Sequence, residues 1–254
     1  MSELLRRASV VIPALNEGAT VAEVVRCAVA DGPGEVIVID SDSTDATARE
    51  AERAGAVVLN WREVLPDVET RPGKGEALWR GVAAARGEIV VFLDADLLQP
   101  RSHLVRDLVA PFSATEVQLV KGHYQRAFEG HATGGGRVTE LTAKPLLRHF
   151  FPELSGVQQP LGGEYAIRRP AARELPFTEG YGVEVGLLLD VAEKYGPEAI
   201  AQVDLGSRFH RNRPLAELAP MADIVSRTVL SRVPELLRTV ARPHERPPLA
   251  TLST

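Results

Sequence analysis

The N-terminal part of the chain alternates between short apolar runs and stretches with a helical pattern. The apolar runs occupy residues 8–12, 35–40, 56–60 and 88–93, and the helical patterns occupy residues 19–30, 41–55 and 74–87. Alternating elements of these lengths predict an α/β fold, with a doubly wound, mostly parallel sheet between layers of helices. A chain of 254 residues holds one large domain or two small ones, and a single core is the simpler prediction.

The second part of the chain has glycine-rich loops between its predicted elements. We predict strands at residues 117–127 and 199–206, helices at 137–149, 182–195 (amphipathic) and 215–239, and loops at 134–136 and 152–165. These loops look like the walls of a site. The residues at 241–254 are polar and rich in proline, so we expect them to form a flexible tail.

Charge and composition exclude some classes of partner. The chain has 29 Lys and Arg against 34 Asp and Glu, a net charge of −5, which argues against sequence-independent binding to nucleic acid. The N-terminal apolar run is too short to span a bilayer, and no signal-peptide cleavage site follows it, so we expect no membrane association and a cytoplasmic location. Cys27 is the single cysteine, which makes a disulfide within the chain impossible.

Two aspartates follow the apolar run at 88–93, where the predicted strand ends. Open α/β sheets bind ligands beyond the carboxyl ends of their strands, so Asp94 and Asp96 lie where a substrate is expected. Either they cap the following turn and the helix after Pro100, or they face a ligand. Carboxylates suit Mg²⁺, which usually shares its coordination shell with substrate phosphates, and His210 after a later strand is a candidate further ligand.

Glycines and basic residues cluster before two predicted helices. Arg71 and Lys74 lie within RPGKG, and the glycines at 134–136 precede Arg137 and Thr139. Backbone N–H groups and cationic side chains at a helix start bind anions, so both stretches predict phosphate or carboxylate sites. The alternatives are a plain loop with a capping glycine for the first stretch and a flexible linker for the second.

Other features restrict the chemistry. The turns at 13–20 and 40–47 bring polar groups and helix N-termini to the same sheet edge, where ribose and diphosphate groups can bind. Tyr181 and Glu184 begin an apolar helix, and Glu184 is either a site residue or only a first-turn helix acid. Neither a G-x-G-x-x-G fingerprint in the first turn nor a G-x-x-x-x-G-K-[ST] loop occurs, which argues against hydride transfer and ATPase chemistry.

Taken together, these stretches resemble the glucosyl-3-phosphoglycerate synthase family. The resemblance covers about residues 8–232 and rests on VIPALNE, DSDSTDAT, RPGKGEALWR, the D-x-D of Asp94 and Asp96, ATGGGRVTEL, GYGVEVGLLLD and HRNRPL. It implies a GT-A glycosyltransferase fold, a homodimer, and Mg²⁺, for which Mn²⁺ or another divalent cation can substitute. It also implies a nucleoside-diphosphate-glucose donor, with UDP-glucose favoured, and D-3-phosphoglycerate as the acceptor.

The reaction that the resemblance implies moves glucose to the 2-hydroxyl of the acceptor with retention of the anomeric configuration. The metal neutralises the leaving diphosphate, and the acceptor hydroxyl attacks from the same face while a donor phosphate oxygen takes its proton. Such a reaction needs no side-chain nucleophile.

The resemblance also implies roles for individual residues. The implied donor site comprises Pro13, Ala14, Leu15, Glu17, Ser41, Lys74, Asp94, Ala95, Tyr181 and Glu184. The implied catalytic residues are Lys74, Asp94, Asp96 and Glu184, the metal ligands are Asp96 and His210, and the acceptor is held by Gly136, Arg137, Thr139 and Asn212. Residues 1–115 would be the nucleotide-sugar-binding half of one GT-A domain, and residues 116–240 would be its acceptor-binding half.

Other functions fit part of the same pattern. Two alternatives are mannosyl transfer to the same acceptor and glucosyl transfer from ADP- or GDP-glucose. An enzyme distinguishes such donors by only a few kcal/mol of binding free energy, through one hydroxyl orientation or one base edge. A nucleotidyltransferase would also use a strand-end acid pair, but no long Gly/Arg/Lys loop follows the first strand. A catalytically silent nucleotide-sugar-binding protein would not need the candidate site residues at Asp96, His210, Lys74 and Arg137. Asp42 replaces a small residue of the familiar motif, and its charge is a reason to expect an altered base preference.

Overall fold

The computed structural model describes residues 1–127, 136–209 and 215–233. In these ranges, strands β1 to β7 span Ala8–Ala14, Glu35–Asp40, Val57–Asn60, Ile89–Phe92, Leu119–Ala127, Tyr165–Arg168 and Ile200–Phe209. Helices α1 to α9 span Ser2–Arg6, Val21–Ala30, Thr47–Ala54, Lys74–Ala84, Leu104–Val109, Lys144–Phe150, Arg169–Glu174, Val183–Tyr195 and Leu215–Leu230. A π-helical turn over Thr139–Ala143 precedes α6, and 3₁₀ turns lie at Ala110–Ser113, Pro152–Leu154, Gly180–Gly182 and Pro197–Ala199.

The described strands form one seven-stranded sheet in the order β3-β2-β1-β4-β6-β5-β7. β1 pairs in parallel with β2 and β4, β2 with β3, and β5 with β7, whereas β6 runs antiparallel to both β4 and β5. The prediction of a doubly wound, mostly parallel sheet is therefore confirmed. Because β6 lies between β4 and β5, the two halves of the chain share a continuous sheet.

Helices on both faces explain the nearly continuous apolar runs of β1, β2 and β4. In β1, Val10 and Ile12 belong to the same core cluster as Leu108 of α5, whereas Val11 between them packs in the cluster that contains Leu78 of α4 and Leu188 of α8. Successive side chains of a strand point to opposite faces, so a strand covered on both sides reads as an unbroken apolar run.

Some local predictions for the second part of the chain were wrong or incomplete. No element was predicted over residues 165–174, where β6 and α7 lie. The helix predicted at 137–149 is a π-helical turn followed by the short helix α6. The helix predicted to be amphipathic at 182–195 is instead buried at every position from Val183 to Val191, because α9 also packs against α8. The helix predicted at 215–239 ends at Leu230 within the described residues.

None of the described helices is long and apolar enough to cross a membrane.

Candidate active site

A pocket of about 360 Å³ opens at the carboxyl edge of the sheet, where β1, β2 and β4 end. Its lining residues are Pro13, Ala14, Leu15, Glu17, Ser41, Trp61, Gly73, Lys74, Ala77, Asp94, Ala95, Asp96, Gly180 and Tyr181. The structure therefore brings together all the predicted donor-site residues except Glu184, which contacts the lining residue Lys74. A pocket at this edge is where α/β sheets bind their ligands.

Lys74 lies between two carboxylates at the base of the pocket. Its Nζ is 2.5 Å from Asp94 Oδ1 and 2.6 Å from Glu184 Oε1. Burial alone would lower the pKa of the lysine, but Asp94 and then Glu184 raise this pKa well above its ordinary value. Lys74 is therefore a fixed positive charge. Glu184, on the first turn of α8, is only 4% exposed, so it is more than a helix-end acid.

Two glycine-containing loops pack backbone to backbone beside Lys74. Gly73 has a φ of 117°, and a side chain there would lie 3.0 Å from the backbone nitrogen of Gly180. A Cβ at Gly75 would collide with the carbonyl oxygen of Thr178. Only glycine permits this close approach, which brings Tyr181 to the pocket on one loop and Lys74 on the other.

The first two strand–helix turns lock together on the opposite side of the pocket. Asn16 donates its backbone N–H to Ser43 Oγ at 2.9 Å, and its own side-chain oxygen accepts the N–H of Thr44 at 2.9 Å. The backbone N–H of Glu17 bonds to Thr47 Oγ1 at 2.8 Å. These bonds hold the turn that carries Leu15, whose side chain remains 56% exposed at the pocket.

Trp61 is a pocket residue that the sequence did not reveal. It follows β3 and donates its backbone N–H to Asp40 O at the end of β2, at 3.0 Å. The loop after it is held by Arg80, which is 0% exposed and donates to the carbonyl oxygens of Trp61, Val64, Leu65, Val68 and Glu69. No local signal identifies such contacts, because the arginine lies on α4 and its partners lie on a preceding loop.

Asp42 does not add an unpaired charge near the pocket. Its carboxylate accepts a hydrogen bond from Asn60 Nδ2 at 3.1 Å and pairs with Arg62 Nε at 2.7 Å. Hydrogen bonding, chiefly from Asn60, holds the pKa of Asp42 below its usual range. The negative charge that motivated an altered base preference is thus compensated within the protein.

The geometry bears on the two interpretations of the acid pair, as capping residues or as ligand-facing residues. The first turn of α5 is capped by the side chain of Asp31, whose Oδ2 accepts the N–H groups of Val105 and Arg106 at 2.9 and 3.1 Å. Asp94 instead contacts Lys74, and both Asp94 and Asp96 line the pocket. The ligand-facing interpretation is the one that agrees with this geometry.

The predicted acceptor residues lie only partly within the described chain. Gly136 has a left-handed φ of 80° and its carbonyl accepts the N–H of Glu140 at 2.8 Å, next to exposed Arg137 and buried Thr139. In the described part of the chain these residues do not line the pocket at the sheet edge. Asn212, His210, Gly134 and Gly135 lie outside the described residues. The segments that carry them continue from β5 and β7, whose last residues, Ala127 and Phe209, are register partners.

The described residues contain no group of three or more His, Cys, Asp and Glu side chains that could hold a metal ion. The exposed carboxylate of Asp96 is nevertheless a hard oxygen ligand in the pocket. Such a site fits Mg²⁺ or Mn²⁺, since Mg²⁺ takes one or two carboxylates and completes its shell with water and substrate phosphates. The second predicted ligand, His210, lies outside the described residues.

Comparison with known proteins places the chain among glycosyltransferases. Residues 9–171 match the model of the family described as "Glycosyl transferase family 2". The glucosyl-3-phosphoglycerate synthase of Mycobacterium tuberculosis (strain ATCC 25618 / H37Rv) is 52% identical over 238 residues, which cover 89% of this chain and 74% of the relative. That of Petrotoga mobilis is 46% identical over 204 residues, covering 78% of this chain and 63% of the relative.

Solved structures give the same result. The crystal structure of glucosyl-3-phosphoglycerate synthase from M. tuberculosis with Mn²⁺, UDP-glucose and phosphoglyceric acid superposes with a TM-score of 0.84 at 49% identity, covering 91% of this chain and 82% of that chain. The same enzyme with Mn²⁺, UDP and glucosyl-3-phosphoglycerate has a TM-score of 0.84 at 49% identity, covering 91% and 83%. The fold is the GT-A fold. The chain belongs to glycosyl transferase family 2, by its family model, and to the family of the glucosyl-3-phosphoglycerate synthases.

Proposed function

We propose that this enzyme transfers glucose from UDP-glucose to the 2-hydroxyl of D-3-phosphoglycerate, giving glucosyl-3-phosphoglycerate with retention of the anomeric configuration. The observation that carries the proposal is the Lys74 ammonium held between Asp94 and Glu184 at the base of the pocket. Relatives about half identical to this chain are named glucosyl-3-phosphoglycerate synthase, and structures of the M. tuberculosis enzyme contain UDP-glucose, phosphoglyceric acid and the glucosylated product.

The pocket suggests how the donor is held. Pro13, Ala14, Leu15, Glu17 and Ser41 would surround the uridine, because they lie at the end of β1 and on the turns that follow β1 and β2. Lys74 would complete the nucleotide part of the site, while Asp94 and Glu184 would orient the sugar through its hydroxyl groups. Ala95 and Tyr181 would close the sides of the pocket. The close packing of Gly73 against Gly180 and of Gly75 against Thr178 supports a site that is largely preorganised for the donor.

Asp96 and His210 would hold the divalent cation, Mg²⁺ or Mn²⁺. When bound, the cation would stabilise negative charge on the diphosphate leaving group. Gly136, Arg137, Thr139 and Asn212 would hold the phosphoglycerate, since a helix start and a guanidinium both bind phosphate and carboxylate groups. In this scheme residues 1–115 serve mainly the donor, residues 116–240 mainly the acceptor, and residues 241–254 form a tail outside the site.

A donor-by-acceptor turnover screen tests the proposal. UDP-, ADP- and GDP-glucose and GDP-mannose are each supplied with Mg²⁺ or Mn²⁺, with and without D-3-phosphoglycerate, and released nucleoside diphosphate is measured. We expect acceptor-dependent release with UDP-glucose. Release with GDP-mannose instead would indicate a mannosyltransferase. A folded sample that binds a donor but releases nothing with any pair would indicate a silent binding protein.

Two further properties belong to the same proposal. We propose a homodimer, which analytical ultracentrifugation of the full chain would test, and a cytoplasmic location, which cell fractionation would test. A monomer at micromolar concentration would contradict the first, and recovery outside the cytoplasmic fraction would contradict the second.

A further inference from the structure

Lys121 is a charged side chain buried beneath the active site, and the proposed reaction does not use it directly. It lies on β5, opposite Tyr165 of β6, and is 1% exposed. Its Nζ donates a hydrogen bond to the carbonyl oxygen of Gly162 at 2.7 Å and lies 4.5 Å from the centroid of the Tyr165 ring. A buried ammonium is costly, so its bond to one loop carbonyl calls for an explanation.

The cost of burying this lysine shows in its titration. Burial is the largest cause that lowers the pKa of Lys121, to about 8, and the charge of Lys74 lowers it further. Glu184, Glu164 and Asp94 act in the opposite direction. Glu184 and Asp94 are the two acids that contact Lys74 at the pocket, and Glu164 is next to Gly163 in the chain. Lys121 therefore interacts electrostatically with the proposed catalytic groups, although it does not line the pocket.

The residue after Gly162 touches a catalytic group. A Cβ on Gly163 would collide with the carboxylate of Asp94, meeting both oxygens and Cγ. The carboxylate thus occupies the space that any other side chain at position 163 would need. Its other side is bound by Lys74 Nζ at 2.5 Å. A small displacement of the backbone at Gly163 would therefore move Asp94 or open a gap beside it.

A neighbouring side chain anchors the far end of the same loop. Gln202, the register partner of Lys121 on β7, donates to Gly156 O at 3.1 Å and accepts the N–H of Gln158 at 2.8 Å. Lys121 and Gln202 thus attach the two ends of the loop at 156–162 to adjacent strands. Only the Lys121 end adjoins Asp94, so the two anchors are expected to have separable effects.

We propose that Lys121 is a positioning residue that holds the Gly162 carbonyl, and thereby keeps Gly163 against the Asp94 carboxylate so that Asp94 stays bound to Lys74. The inference deepens the proposed function, on which it rests, by adding a residue that acts through Asp94. It also explains why position 163 requires glycine, since the backbone there must approach a catalytic carboxylate closely.

The Lys121→Met variant tests the proposal, because methionine preserves most of the buried volume but cannot donate to Gly162. We expect kcat to fall about 10- to 100-fold, the scale of a misplaced catalytic group, with the KM for phosphoglycerate changed less than about 3-fold. In an Asp94→Ala background the same substitution should change kcat less than about 3-fold, because no carboxylate remains to be positioned. If turnover there is too low to measure, calorimetry gives the Kd for UDP-glucose instead, and we expect Lys121→Met to raise this Kd in the wild-type background but to change it less than about 3-fold in the Asp94→Ala background.

Gln202→Leu is the matched control, since it releases the same loop at the other end. We expect its kcat to remain within about 3-fold of the wild type. An equal loss in Gln202→Leu would assign the effect to general loosening of the loop and overturn the proposal. An unchanged kcat in Lys121→Met would also overturn the proposal. The same holds if the loss of kcat in the double variant equals the product of the losses in Lys121→Met and Asp94→Ala.

A crystal structure of Lys121→Met separates failure of this inference from failure of the proposed reaction. We expect the distance from Asp94 to Lys74 Nζ to exceed the hydrogen-bonding range of about 3.5 Å. If Asp94 is displaced in the variant and the wild type transfers no glucose, the positioning role of Lys121 is supported and the proposed reaction is rejected. An undisplaced Asp94, in a protein whose wild type does transfer glucose, would reject the positioning role alone.

Discussion

Lys74 Nζ lies 2.6 Å from the Glu184 carboxylate, which is only 4% exposed. The lysine begins α4 and the glutamate lies on the first turn of α8, 110 residues apart in number, and Asp94 contacts the same ammonium from the strand end. The Lys74 ammonium therefore offsets the electrostatic repulsion between the carboxylates of Asp94 and Glu184. The pocket depends on this arrangement for its shape as well as for its chemistry.

Replacing this cation should cost both stability and activity. We expect Lys74→Met to lower the free energy of unfolding by about 3 kcal/mol, because it leaves Glu184 buried without its partner. Urea denaturation measures this change, and turnover should fall with it. Lys194→Met is the control, since its pair with Glu174 is largely exposed and is screened by solvent, so we expect little change in stability. A Lys74→Met protein as stable and active as the wild type would contradict the assignment.

Asp96 separates an enzyme from a silent binding protein. We expect Asp96→Ala to reduce kcat at least about 100-fold at saturating Mg²⁺ or Mn²⁺, because it removes a proposed ligand of the cation. The melting temperature should not change, since the side chain is exposed. Asp67→Ala, an exposed acid outside the pocket lining, is the control. Retained turnover in Asp96→Ala would remove this residue from the metal site.

Arg137 should act on the acceptor alone. We expect Arg137→Ala to raise the KM for D-3-phosphoglycerate roughly 10- to 100-fold, the effect of a lost charge-assisted pair, while the KM for UDP-glucose stays the same. Steady-state kinetics with each substrate varied measures both constants. Arg148→Ala on α6, also an exposed arginine, should leave both unchanged. An unaltered acceptor KM in Arg137→Ala would exclude the proposed role.

Arg80 should control the wall that carries Trp61. We expect Arg80→Met to lower the free energy of unfolding by about 3 kcal/mol, since several carbonyl oxygens lose their donor at once. The KM for UDP-glucose should rise as Trp61 leaves the pocket. In a Trp79→Phe background, the fluorescence of Trp61 should shift to longer wavelength as it gains solvent. Arg53→Met, an exposed arginine on α3, should show none of these changes.

The buried Lys121 predicts a specific pH dependence of stability. Its folded pKa of about 8 lies below the ordinary value of 10.5, so the unfolded chain binds more protons between these two values. The free energy of unfolding should therefore increase with pH across that interval, by up to about 3 kcal/mol from this group. Other groups titrate too, so the quantity to measure is wild type minus Lys121→Met by urea denaturation. A difference that stays constant from pH 8 to 10.5 would contradict the burial of a titrating ammonium.

Local patterns were sufficient to predict most of the residues that line the pocket. Pro13, Ser41 and Asp94 follow apolar runs, and Lys74 starts a helix after glycines, so each could be placed at one sheet edge from its neighbours alone. The structure confirms that these residues share a pocket. The roles predicted for the individual site residues remain predictions, and two of these residues, Asn212 and His210, lie outside the described part of the chain.

The sequence by itself determined the alternation of strands and helices and the edge at which ligands bind, because both follow from periodicity and from residues that are close in the chain. Only the tertiary structure decided the insertion of β6 between β4 and β5, since four residues of mixed character become a central strand only through their neighbours. It likewise decided the positions of Trp61, Lys121 and Gly163. Lys121 and Gly162 are 41 residues apart. Nothing in the local sequence around either one specifies their contact, because it forms only when β5 and the loop pack together in the folded chain.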